Sequence, residues 1–227
     1  MKIGIICAGD KELAPFCKSI KDASTRERIL LRFYSGKLGN ADVTALFSGV
    51  CKVNAAIACQ ALIDDYRPDF IINAGVCGGI DPDVELFDTV VSTDQVYHDV
   101  SPDILTDFHP RLAENRFVSD EKLIDAARRF SEVSPYTIKF GRMATGEYFV
   151  AGEGREKIQR EFSPLTVDME TAAIAHVCFA NRVPFIAVRC VTDTAARSGA
   201  GNFHKNCERA SGIAFEVTRG LIAEVAR

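Results

Sequence analysis

The chain has 227 residues, 47% of them hydrophobic, and a formal net charge of −4 at pH 7. That is apolar material enough for a sizeable core, and the mildly acidic balance with dispersed basic residues excludes a nucleic-acid footprint or a polybasic membrane patch. Eight cysteines without a C-x-x-C, and four histidines at no ligand spacing to them, argue against a zinc site and for reduced, buried thiols in a cytoplasmic protein.

KIGIIC (2–7) reads as a buried strand, followed by a helix through about residue 21. RILLRFYSGKLGNADVTALFSG (28–49) holds two strand-like runs around LGNAD, a hairpin signal. CKVNAAIACQALIDDY (51–66) is helical, with Val53, Ala56, Ile57 and Ala61 on one face. DFIINAG (69–75) and FDTVVSTDQVYHD (87–99) are strands. The segment 99–118 is irregular and long, as lids and interface loops are. SDEKLIDAARRFSE (119–132) is a helix turning Leu123, Ala126, Ala127 and Phe130 inward, with an acidic first turn that suits the helix dipole. YTIKFGRMAT (136–145) and PFIAVRCVTD (184–193) are strands, and ERASGIAFEVTRGLIAEVAR closes the chain as a helix. No segment has the length of a membrane span, and MKIGIICAGD is no signal peptide. Alternating strands and helices predict one α/β domain over residues 1–227, with a mixed, largely parallel sheet flanked by helices.

Four places carry charge or glycine where a core is expected. In VDMETAAIAHVC (167–178), Glu170 heads a stripe continued by Ala173, Ile174, Val177 and Cys178. A carboxylate there either needs a partner or is an ordinary first-turn glutamate. Arg189 interrupts the apolar run PFIAVRCVTD; it needs an acidic partner, and a structural ion pair would satisfy it equally well. Asp193 ends that strand, where α/β sheets bind ligands, although strand-end aspartates also serve as turn or cap residues. Glu12 lies just past the first strand, and with it belongs the glycine-rich turn NAGVCGGI (73–80) after another strand, which is either a ligand approach or simply a turn. Neither G-x-G-x-x-G nor G-K-[ST] occurs, so dinucleotide and P-loop readings fail. A shared polar pocket would account for all four.

Together MKIGIICAGDKE, FSGVCKVNAA, PDFIINAGVCGGI, VSTDQVYHD, VDMETAAIAHVC and VPFIAVRCVTDTA resemble the purine nucleoside phosphorylase/uridine phosphorylase superfamily, in particular its 5′-methylthioadenosine/S-adenosylhomocysteine nucleosidase branch. The resemblance runs nearly end to end. It implies a single α/β domain with a partly barrel-like sheet, a homodimer in which loop 99–118 lies near the partner's site, no cofactor or metal, and a small-molecule nucleoside as substrate. By position it makes Asp193 the acid at adenine N7 and Glu12 the group that activates water. Glu170 would accept from the ribose diol, Met169 would pack on the sugar, and Arg189 would lie near sugar and water. Phe149 and Val150 match the base-stacking segment, and Val50 and Phe203 the 5′-thioalkyl pocket.

The match has departures. Val76 stands where the resemblance implies a hydroxyl residue, Gly9 where it implies a larger apolar one, Cys51 for a glycine and Ala196 for a second aspartate, and the loop with Pro102 and Leu105 fits poorly. Gly9 should widen the 5′ end. The expected reaction is hydrolysis to adenine and a 5-thioribose derivative. Phosphorolysis and non-catalytic nucleoside binding are the rival readings. Lys11 with a carboxylate, where phosphorolysis needs an arginine, weighs against the first; the presence of both acids weighs against the second.

Overall fold

A computed structural model describes residues 1–108, 111–194 and 200–226, without the side chains of Pro102 and Ala200. In chain order the elements are β1 (Lys2–Cys7), α1 (Asp10–Ser19), β2 (Lys21–Arg28), β3 (Leu31–Leu38), β4 (Ala41–Phe47), α2 (Lys52–Tyr66), β5 (Phe70–Gly79), β6 (Thr89–Tyr97) and α3 (Pro102–Phe108). β7 (Phe117–Val118), α4 (Glu121–Ser131), β8 (Ile138–Thr145), α5 (Glu153–Phe162), β9 (Thr166–Asp168), α6 (Thr171–Asn181), β10 (Phe185–Asp193) and α7 (Ala200–Val225) complete them.

All ten strands among the described residues join one mixed sheet. β4, β1, β5 and β10 pair in parallel. So do β6, β8 and β9. The two parallel runs meet antiparallel twice, at β10–β6 and at β5–β9. That closes β5, β10, β6, β8 and β9 into a ring, while β1, β4, β3 and β2 extend from it as an open sheet. The fold is thus the α/β domain with a mixed sheet that the alternating pattern predicts, and the sheet is partly barrel-like as the resemblance implies.

Side-chain alternation along the strands feeds two cores. On β1, Ile3 and Ile5 join the core under α1, α4 and α7, while Ile6 joins the one under α2 and α6. On β10, Ile186, Val188 and Cys190 take the first side and Phe185, Ala187 and Val191 the second. Arg189 belongs by parity to the second face. Its strand neighbour on β5 is Gly75. The charged residue in the apolar strand therefore projects into a space its neighbour leaves empty.

Several elements depart from the sequence pattern. β2 was invisible because all eight residues of KDASTRER are exposed, so it carries no apolar alternation. α2 buries Ala55, Ala58, Cys59, Ala61 and Leu62. Val53 and Ile57 of the expected apolar face are instead exposed, because the small residues let α2 press closely on α6. Segment 99–118 contains α3 and β7 rather than being wholly irregular. α5, polar on most of its surface, escapes a periodicity reading, and α7 begins earlier than its apolar stripe. The 119–132 helix matches expectation: Leu123, Ala126 and Ala127 are buried, Phe130 packs against them, and Asp120 caps the helix by accepting from the Leu123 N–H.

Candidate functional site

The ends of β1, β5, β9 and β10 and the starts of α1 and α6 converge on one pocket of about 410 Å³, within the range for small-molecule sites. Glu12, Val50, Val76, Phe149, Val150, Met169, Glu170, Arg189, Asp193 and Phe203 all line it. The structure thus brings together every candidate residue.

Glu12 sits in the first turn of α1, as helix-start glutamates often do, but it is turned inward and only 5% exposed. Its Oε2 accepts from the N–H groups of Ala8 (2.6 Å) and Gly9 (2.8 Å), and its Oε1 from Val76 N–H (2.7 Å). Three backbone donors from two strand ends therefore fix this carboxylate. Gly75 has to be glycine here: a Cβ would collide with Glu12 Oε1 and stand 2.9 Å from Arg189 Nη1.

Glu170 is not inside the helical stripe but at its N-cap, where the chain leaves β9. Its Oε1 accepts from Cys51 N–H (3.0 Å) and its Oε2 from Arg189 Nη2 (2.9 Å). Burial pushes its carboxyl up to about 7; Arg189 opposes that shift, and the charges of Asp168 and Glu12 add to it. Arg189 itself is 1% exposed and has three carboxylates around it. Glu170 lies at 2.9 Å, Asp168 at 3.5 Å and Glu12 at 3.9 Å. Burial works against its charge, but those three carboxylates outweigh burial and hold the guanidinium protonated. Its Nε and Nη1 have no hydrogen-bond partner among the described residues.

Asp193 ends β10 and is 1% exposed. Its Oδ1 accepts from Thr192 Oγ1 (2.9 Å), and its Oδ2 is paired with Arg155 Nη2. Burial raises its carboxyl above the usual range, although Arg155 and the Thr192 hydroxyl pull the other way. Phe149 and Val150 lie in the loop before α5. A network at the mouth ties that loop to the start of α2: Lys52 Nζ on Asp99 (2.8 Å), Glu147 N–H on Asp99 (2.8 Å) and Lys52 N–H on Glu147 Oε1 (3.2 Å). Val150 is buried, while the Phe149 ring is 44% exposed and stands edge-on to Phe203, 6.2 Å between centroids.

The departures also have places. Val76 gives the site only its N–H. A Cβ on Gly9 would meet nothing within 4 Å, so the pocket is open there. Leu105 packs toward the second core and does not line this pocket. Cys51 adopts φ 83° and ψ 160°, a conformation suited to glycine, and by doing so aims its N–H at Glu170. Ala196 lies outside the described residues.

A sequence profile described as the phosphorylase superfamily matches residues 2–223. The chain belongs to the phosphorylase superfamily. Among its relatives, the 5′-methylthioadenosine/S-adenosylhomocysteine nucleosidase of Actinobacillus succinogenes is 33% identical over 99% of this chain and 100% of its own length. The nucleosidase of the same name from Bacillus subtilis is 31% identical over 99% of this chain and 100% of its own. A crystal structure of such a nucleosidase from Colwellia psychrerythraea, in complex with adenine, superimposes with a TM-score of 0.89 at 31% identity, covering 99% of this chain and 95% of that one.

This member of the phosphorylase superfamily has two further site residues that the sequence pattern did not single out. Asp168 accepts from Thr145 Oγ1 (2.7 Å) and from the N–H groups of Glu170 (3.0 Å) and Thr171 (2.9 Å), holding the start of α6 beside Arg189. An aspartate two residues before a glutamate at a helix start was the available signal. Arg155 had none, since GEGREKI reads as a solvated helix face, yet the side chain is 3% exposed.

Proposed function

We propose that the chain hydrolyses the N-glycosidic bond of 5′-thio-substituted adenosines, 5′-methylthioadenosine and S-adenosylhomocysteine, releasing adenine and a 5-thioribose derivative. The observation that carries hydrolysis over phosphorolysis is the Glu12 carboxylate. The backbone N–H groups of Ala8, Gly9 and Val76 would be the natural donors for a phosphate, and they are committed to the protein's own anion. A second anion there would meet repulsion in a site of low dielectric.

In this reading Glu12 takes a proton from water held between its Oε1 and Nη1 of Arg189, which has no hydrogen-bond partner among the described residues. Water adds to C1′ as the C1′–N9 bond breaks, its electron pair enters the purine, and Asp193 supplies the proton at N7. Burial suits Asp193 to that role by keeping a proton on it above the usual carboxylate range. Glu170 accepts from the ribose hydroxyls, which would join Cys51 N–H and Arg189 as donors to a buried charge. Met169 packs on the sugar, Phe149 and Val150 hold the base, and Val50 and Phe203 flank the 5′ substituent. No cofactor is called for.

We further read the protein as a cytoplasmic homodimer. Support comes from the free cysteines, and from the exposed apolar side chains Val53 and Ile57 of α2, Phe179 of α6 and Val118 of β7, elements that pack in series. Light scattering in solution tests the dimer. The reaction is tested by incubating purified protein with 5′-methylthioadenosine in phosphate-free buffer. Free adenine should appear, and turnover confined to phosphate-containing buffer with a sugar 1-phosphate as product would overturn hydrolysis.

A further inference from the structure

Arg155 is a fixed cation at the base end of the pocket that adenine chemistry does not require. It reaches in from α5, is 3% exposed, and donates from Nη1 to the Gly79 carbonyl and from Nη2 to Asp193. Its Nε is buried and has no hydrogen-bond partner among the described residues. Gly78 keeps the approach open: a Cβ there would stand 3.3 Å from Nη2 and 3.6 Å from Nη1. Each Nη has two hydrogens, so each retains one beyond the bond described.

The hydrogen-bonding edge of a purine at N7 and C6 differs between base classes. Adenine offers an acceptor at N7 and a donor at its amino group, whereas 6-oxopurines offer acceptors at both N7 and O6, the pattern an arginine fork fits best. The charge that develops on leaving differs too. Adenine leaves as the neutral base only if N7 is protonated as the C1′–N9 bond weakens, and a guanidinium that cannot deprotonate disfavours the partial positive charge the ring carries before the bond pair arrives. A 6-oxopurine takes the C1′–N9 electron pair through its ring onto O6, and a fixed cation near that oxygen stabilises the developing negative charge.

On the nucleosidase reading of this pocket, we propose that the Arg155–Asp193 pair extends its substrates to 6-oxopurine nucleosides, with Arg155 donating to O6 of the departing base. Water still adds at C1′ and gives its proton to Glu12, the C1′–N9 pair moves to the base, and Asp193 returns a proton to the base at N7 as it leaves.

The test compares 5′-methylthioinosine with 5′-methylthioadenosine, which differ only at C6 of the base, on the wild type, Arg155→Lys and Arg155→Met. Lys keeps a positive charge beside Asp193 but loses the fork, so it guards against a variant that fails for want of a counter-charge. For the wild type, kcat/KM for the inosine compound should lie within about tenfold of that for the adenosine compound. Both variants should lower the inosine-to-adenosine ratio by about tenfold or more, as loss of a hydrogen bond from a charged group does. A wild-type ratio below that limit, or a ratio that neither variant moves, overturns the proposal. Thermal stabilisation by the free bases supplies a readout independent of turnover. If neither nucleoside is cleaved, the nucleosidase reading falls, and base preference still decides this inference: hypoxanthine stabilising the wild type more than adenine, with the order lost in Arg155→Met, upholds it, and any other pattern overturns it.

Discussion

Around Arg189 one guanidinium serves three carboxylates, those of Glu12, Asp168 and Glu170. Around Arg155 one guanidinium serves one, that of Asp193. Both arginines are almost fully buried, so neither cluster is a surface ion pair softened by water. The first cluster has an excess of negative charge and the second is balanced. The excess suits a region that stabilises a sugar becoming positive and draws a proton from water. The balanced pair suits a region where a proton or a partial negative charge is handed to a leaving base. The pocket separates the two tasks by how many carboxylates share each arginine.

Removing the acid from the balanced pair should have the largest effect. Asp193→Asn keeps the side-chain shape and can still hydrogen-bond a base, but it cannot deliver a proton. General acid catalysis supplies about 10²–10⁴-fold, so kcat for 5′-methylthioadenosine should fall on that scale while binding of free adenine is largely kept. Single-turnover rates and adenine titration separate the two effects. A variant within a few-fold of wild type would take Asp193 out of the chemistry.

That prediction rests on a residue the sequence offers openly, as do those on Glu12, Glu170 and Arg189. These four are legible because each breaks a local apolar pattern or sits at a strand end or helix start, and their neighbours along the chain report the anomaly. Arg155 is illegible for the opposite reason. Its neighbours Glu153, Glu156 and Lys157 are polar, and only the packing of α5, through Ile158, against Ile80, Val96, Ala144 and Val167 brings it inward to the Gly79 carbonyl and Asp193. The fold divides in the same way. Buried strands such as β5 and β10 announce themselves as apolar runs, and the LGNAD hairpin by its turn residues. β2 is held by backbone pairing to β3 with every side chain in solvent, so no pattern in its residues marks it. The closure of the barrel, through β10 pairing with both β5 and β6, is a property of three distant segments and of no local stretch.

The Arg189 cluster is tested next by Glu170→Gln. Glutamine keeps one acceptor and loses the charge, so kcat/KM should fall by about 10–100-fold, the worth of a hydrogen bond to a charged group. Stability should respond in the opposite sense at alkaline pH. The folded-state carboxyl of Glu170 lies at about 7, above the roughly 4.3 of an unfolded glutamate. Its contribution to stability is therefore complete below the unfolded value and is lost as pH rises through 7. The ligand-free wild type should have a higher Tm at pH 6 than at pH 8 on this account. Asp193, also raised, adds a contribution of the same sign in both proteins. Glu170→Gln should flatten the slope and raise Tm at pH 8. Scanning calorimetry of both proteins at the two pH values checks it, and parallel slopes would mean that Glu170 is ionised throughout.

The smallest effect expected is at Cys51, which holds Glu170 from the other side. With φ 83° and ψ 160°, its backbone occupies a region that is nearly the preserve of glycine, because a Cβ crowds the neighbouring carbonyls. Such a residue costs about 1–3 kcal/mol, and it persists only where the surroundings impose it. Here the imposing contacts are the Cys51 N–H on Glu170 Oε1 and the start of α2 immediately after. Cys51→Gly relieves the strain and keeps the N–H, but glycine loses about 0.5–1 kcal/mol more in backbone entropy on folding. The thiol contributes little to offset this, since its partner is the Glu147 carbonyl at 3.9 Å. A net gain of about 1 kcal/mol follows, which for a domain of this size is a rise of roughly 2–4 °C in Tm. Activity should stay within a few-fold, because the donor to Glu170 is the backbone. Calorimetry of the variant decides it: an unchanged or lower Tm would mean that the Glu170 contact leaves this turn unstrained, and a large loss of activity with raised Tm would mean that the strain itself holds Glu170 in place.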